Sequence, residues 1–155
     1  MHRDLKPGNV LVDRRDVPRL LDFGQARPFL ANESVTPFFV GTLAYASPEH
    51  IVDGPIDCDP RSDVYSLGVV LFQLLTGSLP YDVGNSLASA VRVIVGAKPT
   101  DARRIRPDLP DALVSVTRRA LRKRPDARYP SAVALAADLR RWLDAGAPAR
   151  RPRPQ

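Results

Sequence analysis

The sequence predicts a mainly α chain with a small β-hairpin, one hairpin followed by four or so helices. Three observations carry this. Two short apolar runs near the N-terminus, Val10-Leu11-Val12 and Leu20-Leu21, flank a polar turn at hairpin spacing. Val64 to Leu75 is a nearly continuous apolar stretch with helical periodicity, bounded by Asp63 and Gly77. Farther on, apolar residues recur every three or four positions in three more segments.

The hairpin is expected over residues 9–13 and 18–22, with Arg14 to Val17 as the turn and Pro18 opening the second strand. Facing Asp13 with Pro18 would set Asn9 opposite Asp22, and cross-strand neighbours sit roughly 5 Å apart. Alternation by two puts Leu11 on the face of Asn9, so a flat apolar group could rest beside the polar pair. Taken singly, Asn9 or Asp22 reads first as a hairpin cap. Residues 25–46 show no clear periodicity and read as a long loop carrying Ser34 and Thr36, a length that is usually functional or disordered.

Within Val64 to Leu75, positions 64, 67, 70, 71, 74 and 75 form one apolar stripe, and Gly68, Val69 and Phe72 fill much of the other side. A helix apolar nearly all round is expected to be the buried axis of the domain. Asp63 suits the positive end of its dipole and Gly77 a C-terminal cap. About twelve such residues are too few to span a bilayer. Ser86 to Val95 and Asp111 to Leu121 are expected as helices on either side of a proline-studded link (Pro99, Pro107, Pro110). Ser131 is read as the N-cap of a last helix reaching Asp144, with Leu135, Leu139, Trp142 and Leu143 inward. The Pro/Arg/Ala-rich residues 145–155 are expected to be a disordered tail.

At 155 residues and 44% hydrophobic content, one domain with a sizeable core is expected. No apolar run reaches membrane-spanning length, and Met-His-Arg-Asp lacks the apolar core of a signal peptide, which points to a cytoplasmic location. The single cysteine, Cys58, excludes an internal disulfide. The net charge of +6 is spread over separate arginine clusters, so no specific nucleic acid partner is expected. His50 matches no catalytic role and reads as a surface or helix-end histidine.

The stretch His2-Arg3-Asp4-Leu5-Lys6-Pro7-Gly8-Asn9 packs acid, base, imidazole and amide onto one turn. It is followed by Asp22-Phe23-Gly24, by Ser47-Pro48-Glu49, by Asp63 opening an apolar helix, and by Arg128. From residue 2 to about residue 144 this order resembles the C-terminal lobe of a protein kinase. Lys6-Pro7 and Gly41-Thr42 resemble the serine/threonine branch, in a bacterial wording.

The resemblance implies a division into a partial kinase domain, residues 1–144, with an activation segment over 22–49. It implies ATP and Mg²⁺ as cofactors and a protein substrate bearing Ser or Thr. By it, Asp4 would take the proton of the substrate hydroxyl, Lys6 would sit near the transferred phosphate, and Asn9 and Asp22 would hold Mg²⁺. Leu11 would form part of the adenine floor, and Thr42 would bridge Asp4 and Lys6. Arg3 implies control by a phosphate on Thr36 or Ser34. His2 and Phe23 would be stacked spine residues, Asp63 would hold the backbone of the catalytic loop, and Glu49 with Arg128 would form an ion pair.

The family also needs a glycine-rich loop over the phosphates, a strand lysine and a helix glutamate. None is legible here: the closest glycines, Gly77 and Gly84, are seven positions apart, and only Met1 precedes the motif. Lys98 and Lys123 lie far downstream. With the N-terminal lobe absent, the expectation is a C-lobe fragment of a serine/threonine kinase, inactive alone and needing the missing lobe or a partner chain. A non-catalytic regulatory remnant is the alternative, and a basic module for nucleic acid or membrane the third. The 64–75 helix is expected to leave apolar surface uncovered.

Overall fold

The computed structural model describes residues 1–21, 41–54 and 59–146. Asp22, Phe23, Ser34, Thr36 and Cys58 lie outside these, as do residues 147–155 of the expected tail. Strands β1 (Val10–Val12) and β2 (Pro18–Leu20) form a two-stranded antiparallel sheet. The α-helices that lie wholly among the described residues are α1 (Pro48–Val52), α2 (Arg61–Thr76), α3 (Leu87–Gly96), α4 (Ala102–Ile105), α5 (Asp111–Ala120) and α6 (Ala132–Asp144).

The hairpin register differs from the expected one by a residue. Val10 faces Leu20, Leu11 faces Arg19 and Val12 faces Pro18, which sets Asn9 opposite Leu21 rather than Asp22. Asp13 and Val17 close the turn, with the Asp13 carboxylate accepting the N–H groups of Arg15 (2.9 Å) and Val17 (3.0 Å). Asp16 sits in the left-handed region at φ +59°. A three-residue loop of this kind, a type I turn ending in a left-handed residue, shortens the expected turn and shifts the pairing. Aspartate tolerates that conformation without announcing it as glycine would.

Helix α2 is the axis of the domain. Tyr65, Val69 and Phe72 enter the larger core cluster with Leu43, Ile51, Ile94 and Leu121, while Val64 enters a smaller one with Val116, Tyr129 and Leu135. Its deepest face is thus 64/65/68/69/72, not the expected stripe, whose Leu74 is 78% exposed. The reason is the approach of α5. A Cβ on Gly68 would lie 2.8 Å from Cβ of Ala120 and 3.3 Å from its backbone carbon. Two small residues let the helices touch along a face that looks secondary in the sequence. Gly77 closes α2 in the left-handed region (φ +76°), its N–H bonded to the Gln73 carbonyl.

Helices α3 and α6 begin at side-chain caps. Ser86 accepts from the N–H of Ser89 at 3.2 Å, and Ser131 from that of Ala134 at 3.2 Å. In α6 Leu135 is buried and Leu139 and Trp142 half-buried, but Leu143 is exposed, contrary to its expected inward placement. Ala145 and Gly146 (φ +95°), which the sequence reading placed in the tail, cap α6. Helices α1 and α4 have only single-turn lengths, too short for periodicity to reveal, although Ser47-Pro48 and Asp101 supply their caps.

Replacing Gly68 by alanine tests the α2–α5 contact. Helix propensity alone favours alanine by roughly 1 kcal/mol, yet Gly68→Ala is expected to lower stability by about 1–3 kcal/mol through overpacking. Urea denaturation reads the sign.

Candidate active site

The loop from His2 to Asn9 is shaped by its own backbone needs. Pro7 opens a one-turn 3-10 helix, Pro7–Asn9, in which the missing proline N–H costs nothing. Arg3 adopts φ +72°, a conformation that costs a non-glycine residue roughly 1–3 kcal/mol. Asp63, from the first turn of α2, holds it there. One carboxylate oxygen accepts the N–H of His2 at 2.6 Å and the other that of Arg3 at 2.9 Å. The buried His2 ring donates from Nε2 to the Leu21 carbonyl at 2.8 Å, since a carbonyl can only accept. The loop is therefore tied to both the axial helix and the end of the hairpin.

Asp4 lies at the centre. Asn9 Nδ2 donates to its backbone carbonyl at 2.7 Å and to Oδ2 at 2.8 Å, and Lys6 Nζ stands 3.0 Å from the same Oδ2. Oδ1 has no hydrogen-bond partner among the described residues and the side chain is 28% exposed. Asn9 is buried, and with Nδ2 committed to Asp4 its Oδ1 is the atom left to accept from, or ligate, another group. Lys6 also reaches Thr42 Oγ1 at 3.5 Å. Lys6 is thus the bridge between Asp4 and Thr42, where Thr42 was expected to be the bridge. An ammonium with three donors can serve both, whereas Thr42 reaches only the lysine. Leu11 is 56% exposed on β1. The guanidinium of Arg3 has no partner among the described residues and lines a crevice with Asp4, Thr42, Tyr45 and Ser66.

Glu49 and Arg128 meet in a bidentate pair, Nη1 to Oε1 at 2.6 Å and Nη2 to Oε2 at 2.7 Å. The Arg128 side chain is fully buried. Its remaining donors go to the carbonyls of Arg122 (2.7 Å), Arg61 (3.0 Å) and Lys123 (2.7 Å), so every N–H is used. Ser62 Oγ donates to Glu49 Oε1 at 2.7 Å. Burial pushes the Glu49 carboxyl up, but the hydrogen bonds from Arg128 and Ser62 and the charge of Arg128 outweigh it, holding it below its ordinary value.

Two features differ from the reading of the sequence or escape it. His50 is buried, not at the surface. Burial chiefly lowers its pKa and the Arg3 charge adds to this, against the opposing carboxylates of Glu49, Asp4 and Asp63. Lys123 is half-buried over the Tyr81 ring, 4.2 Å from its centroid. It donates to Tyr81 Oη at 2.8 Å and to the Ile94 carbonyl. Burial and the nearby Arg128 bring it down to about 8. Tyr65 Oη in turn donates to Tyr81 Oη at 3.1 Å. The available signal was that Lys123 is one of only three lysines in a chain otherwise furnished with arginine.

A mostly helical chain with an Asp–Lys–Asn loop anchored on its axial helix, and a buried Glu–Arg pair beside it, defines a class, and comparison with known proteins names it. Residues 1–139 match the family model of the protein kinase domain, and the chain belongs to that family, in its bacterial serine/threonine form. It is 40% identical over 138 residues to serine/threonine-protein kinase PksC of Streptomyces coelicolor, covering 87% of this chain and 24% of the relative. It is 38% identical over 151 residues to serine/threonine-protein kinase PknB of Mycolicibacterium smegmatis, covering 96% and 24%. The DNA damage-responsive serine/threonine-protein kinase RqkA of Deinococcus radiodurans is 41% identical over 141 residues, with 88% and 20% covered. The chain thus spans about a quarter or less of the length of these relatives.

Arg128→Lys is expected to cost roughly 3–5 kcal/mol, because an ammonium cannot serve the bidentate carboxylate and three carbonyls together. Equilibrium denaturation measures it. Acid should act in two stages. The folded pKa values of His50 and Glu49 both lie below their ordinary 6.5 and 4.5, so the unfolded chain binds more protons. The stability these two groups contribute is complete above pH 6.5, begins to fall below it with His50, and falls further below 4.5 with Glu49. His50→Gln should remove the first stage from the pH dependence of the urea midpoint and leave the second.

Proposed function

We propose that residues 1–144 form the C-lobe part of a serine/threonine protein kinase, with the activation segment over 22–49, and supply its phosphate-accepting half-site. The observation that carries this is the state of Asp4. Its Oδ2 is held by Asn9 and Lys6 while Oδ1 stays open. A substrate Ser or Thr hydroxyl donating to Oδ1 would be oriented for attack and would pass its proton there. Lys6 would offset the charge gathering on the transferred phosphoryl group. The donor set of Asn9 Oδ1 with the Asp22 carboxylate suits a hard cation, so these residues would hold Mg²⁺ beside ATP. The cation, when bound, supplies charge neutralisation of the nucleotide phosphates. Leu11, exposed on β1, would meet the adenine.

Arg3 is available, among the described residues, for a phosphate on Thr36 or Ser34, which would order the activation segment by a charge-assisted pair. The use of ATP implies a cytoplasmic setting, and no helix among the described residues is long and apolar enough to cross a membrane. These residues contain no glycine-rich phosphate loop. The 155 residues alone are therefore expected to be inactive, since a missing transition-state donor costs about 10²–10³ in rate and here a whole clamp is lacking.

A chimera tests both halves of this reading. Placing the nucleotide-binding lobe of the Streptomyces relative ahead of residues 1–155 should give Mg-ATP-dependent phosphorylation of Ser/Thr in a protein substrate. Asp4→Asn in that chimera should lower kcat roughly 10²–10⁴-fold. A folded but inactive chimera would sink the catalytic assignment. Phosphoryl transfer by residues 1–155 alone, lost in Asp4→Asn, would overturn the claim of inactivity.

A further inference from the structure

A second cavity among the described residues lies away from Asp4. It has a volume of about 590 Å³ and lies between α2, the α3–α4 connection, α5 and the loop after α5. It shares no lining residue with the crevice at Asp4. That volume falls within the roughly 300–1,000 Å³ in which small molecules of drug size bind.

The cavity is chemically two-sided. Its floor is apolar, with Phe72 from α2 and Leu121 after α5 both buried. Its rim carries Lys98, Arg118 and Arg122, all exposed and without a side-chain ion pair or hydrogen bond among the described residues. The carboxylate that lines it, Asp101, is already engaged as the cap of α4, accepting from the N–H of Arg103 at 3.0 Å. Another cation in the wall, Lys123, is turned inward to Tyr81 and Ile94. Like charges gathered without counter-ions repel one another, and a bound anion relieves that repulsion. An apolar floor gains by burying hydrocarbon.

We propose that this cavity is a binding site for a small amphipathic anion, a carboxylate or phosphate carried on an apolar chain or ring, with the apolar part against Phe72 and Leu121 and the anionic head among Lys98, Arg118 and Arg122. A concave apolar floor separates this from a nucleic-acid stripe, which is an open cationic surface that follows a backbone. The site is independent of the phosphoryl-transfer reading, since none of its residues belongs to the Asp4 loop.

Isothermal titration of the 155-residue chain with dodecyl phosphate and with laurate, each below its micellar concentration, tests it. Saturable one-site binding is expected. Dodecanol, which lacks the head, and inorganic phosphate, which lacks the chain, should each bind at least tenfold more weakly. Exchanging the exposed pair, Arg118→Ser with Arg122→Ser, should weaken dodecyl phosphate roughly tenfold or more, the scale of a lost charged hydrogen bond. Ala97→Trp, at an exposed lining position, should block the site. Val12→Ser with Leu20→Ser, on the exposed hairpin, should leave the affinity unchanged. Absence of binding, binding indifferent to the arginine pair or to Ala97→Trp, or binding lost with the hairpin pair would each overturn the proposal.

Discussion

Arg128 is the point on which the packing of this chain converges. A fully buried guanidinium is tolerable only when its charge is matched and every N–H is accepted. Here Glu49 supplies the charge, and the carbonyls of Arg61, Arg122 and Lys123 supply the rest. The Tyr65 ring lies beneath it, 4.9 Å from centroid to guanidinium carbon. One side chain thereby joins the start of α1, the start of α2 and the segment after α5, which are distant in sequence. Lysine could match the charge but not the fork. The same cation also shapes its surroundings, since it helps to lower Lys123, whose carbonyl it binds.

The first turn of α2 carries this arrangement to the Asp4 loop. Three consecutive residues do different work there: the Arg61 carbonyl accepts from Arg128, Ser62 donates to Glu49, and Asp63 accepts from His2 and Arg3. Anchoring the loop through a carboxylate suits its strain. Arg3 is held at positive φ by two charge-assisted hydrogen bonds to adjacent N–H groups, which fix direction as well as distance. The Glu–Arg pair sets where α2 starts, and the start of α2 sets the backbone next to Asp4.

Features written in one residue type were legible before the fold was known. Gly77 and Ser131 announce helix ends because few residues serve there, and Asp4, Lys6 and Asn9 fall within one turn, so local sequence already brings them together. Features decided by a distant neighbour were not. The buried face of α2 depends on Ala120 reaching Gly68, which no periodicity within α2 can show. The hairpin register turned on Asp16 adopting a conformation that sequence patterns associate with glycine. His50 reads as a helix-end histidine, yet α1 turns it inward. Lys123 has no local pattern at all, and its depressed pKa arises from burial created by α3 and Tyr81.

The two sides of the site differ in how firmly they are built. On one side Asp4, Asn9 and Lys6 rest on a strained but doubly anchored loop and on the core of α2. On the other, β1 and β2 form a hairpin whose residues Leu11, Val12 and Leu20 are all exposed. An isolated two-stranded hairpin is marginal in water. Among the described residues two hydrogen bonds tie this one to the Asp4 loop: the Leu21 N–H on the Asn9 carbonyl at 2.9 Å, and the His2 ring on the Leu21 carbonyl. Local opening is expected where apolar contacts are few and backbone hydrogen bonds are exposed. Asn9 escapes that weakness because its side chain is fixed by Asp4 and its own N–H by Lys6, within the loop rather than across the sheet. The polar triad is thus fixed by bonds within its own loop, whereas Leu11, Val12 and Leu20 gain little burial from the described residues.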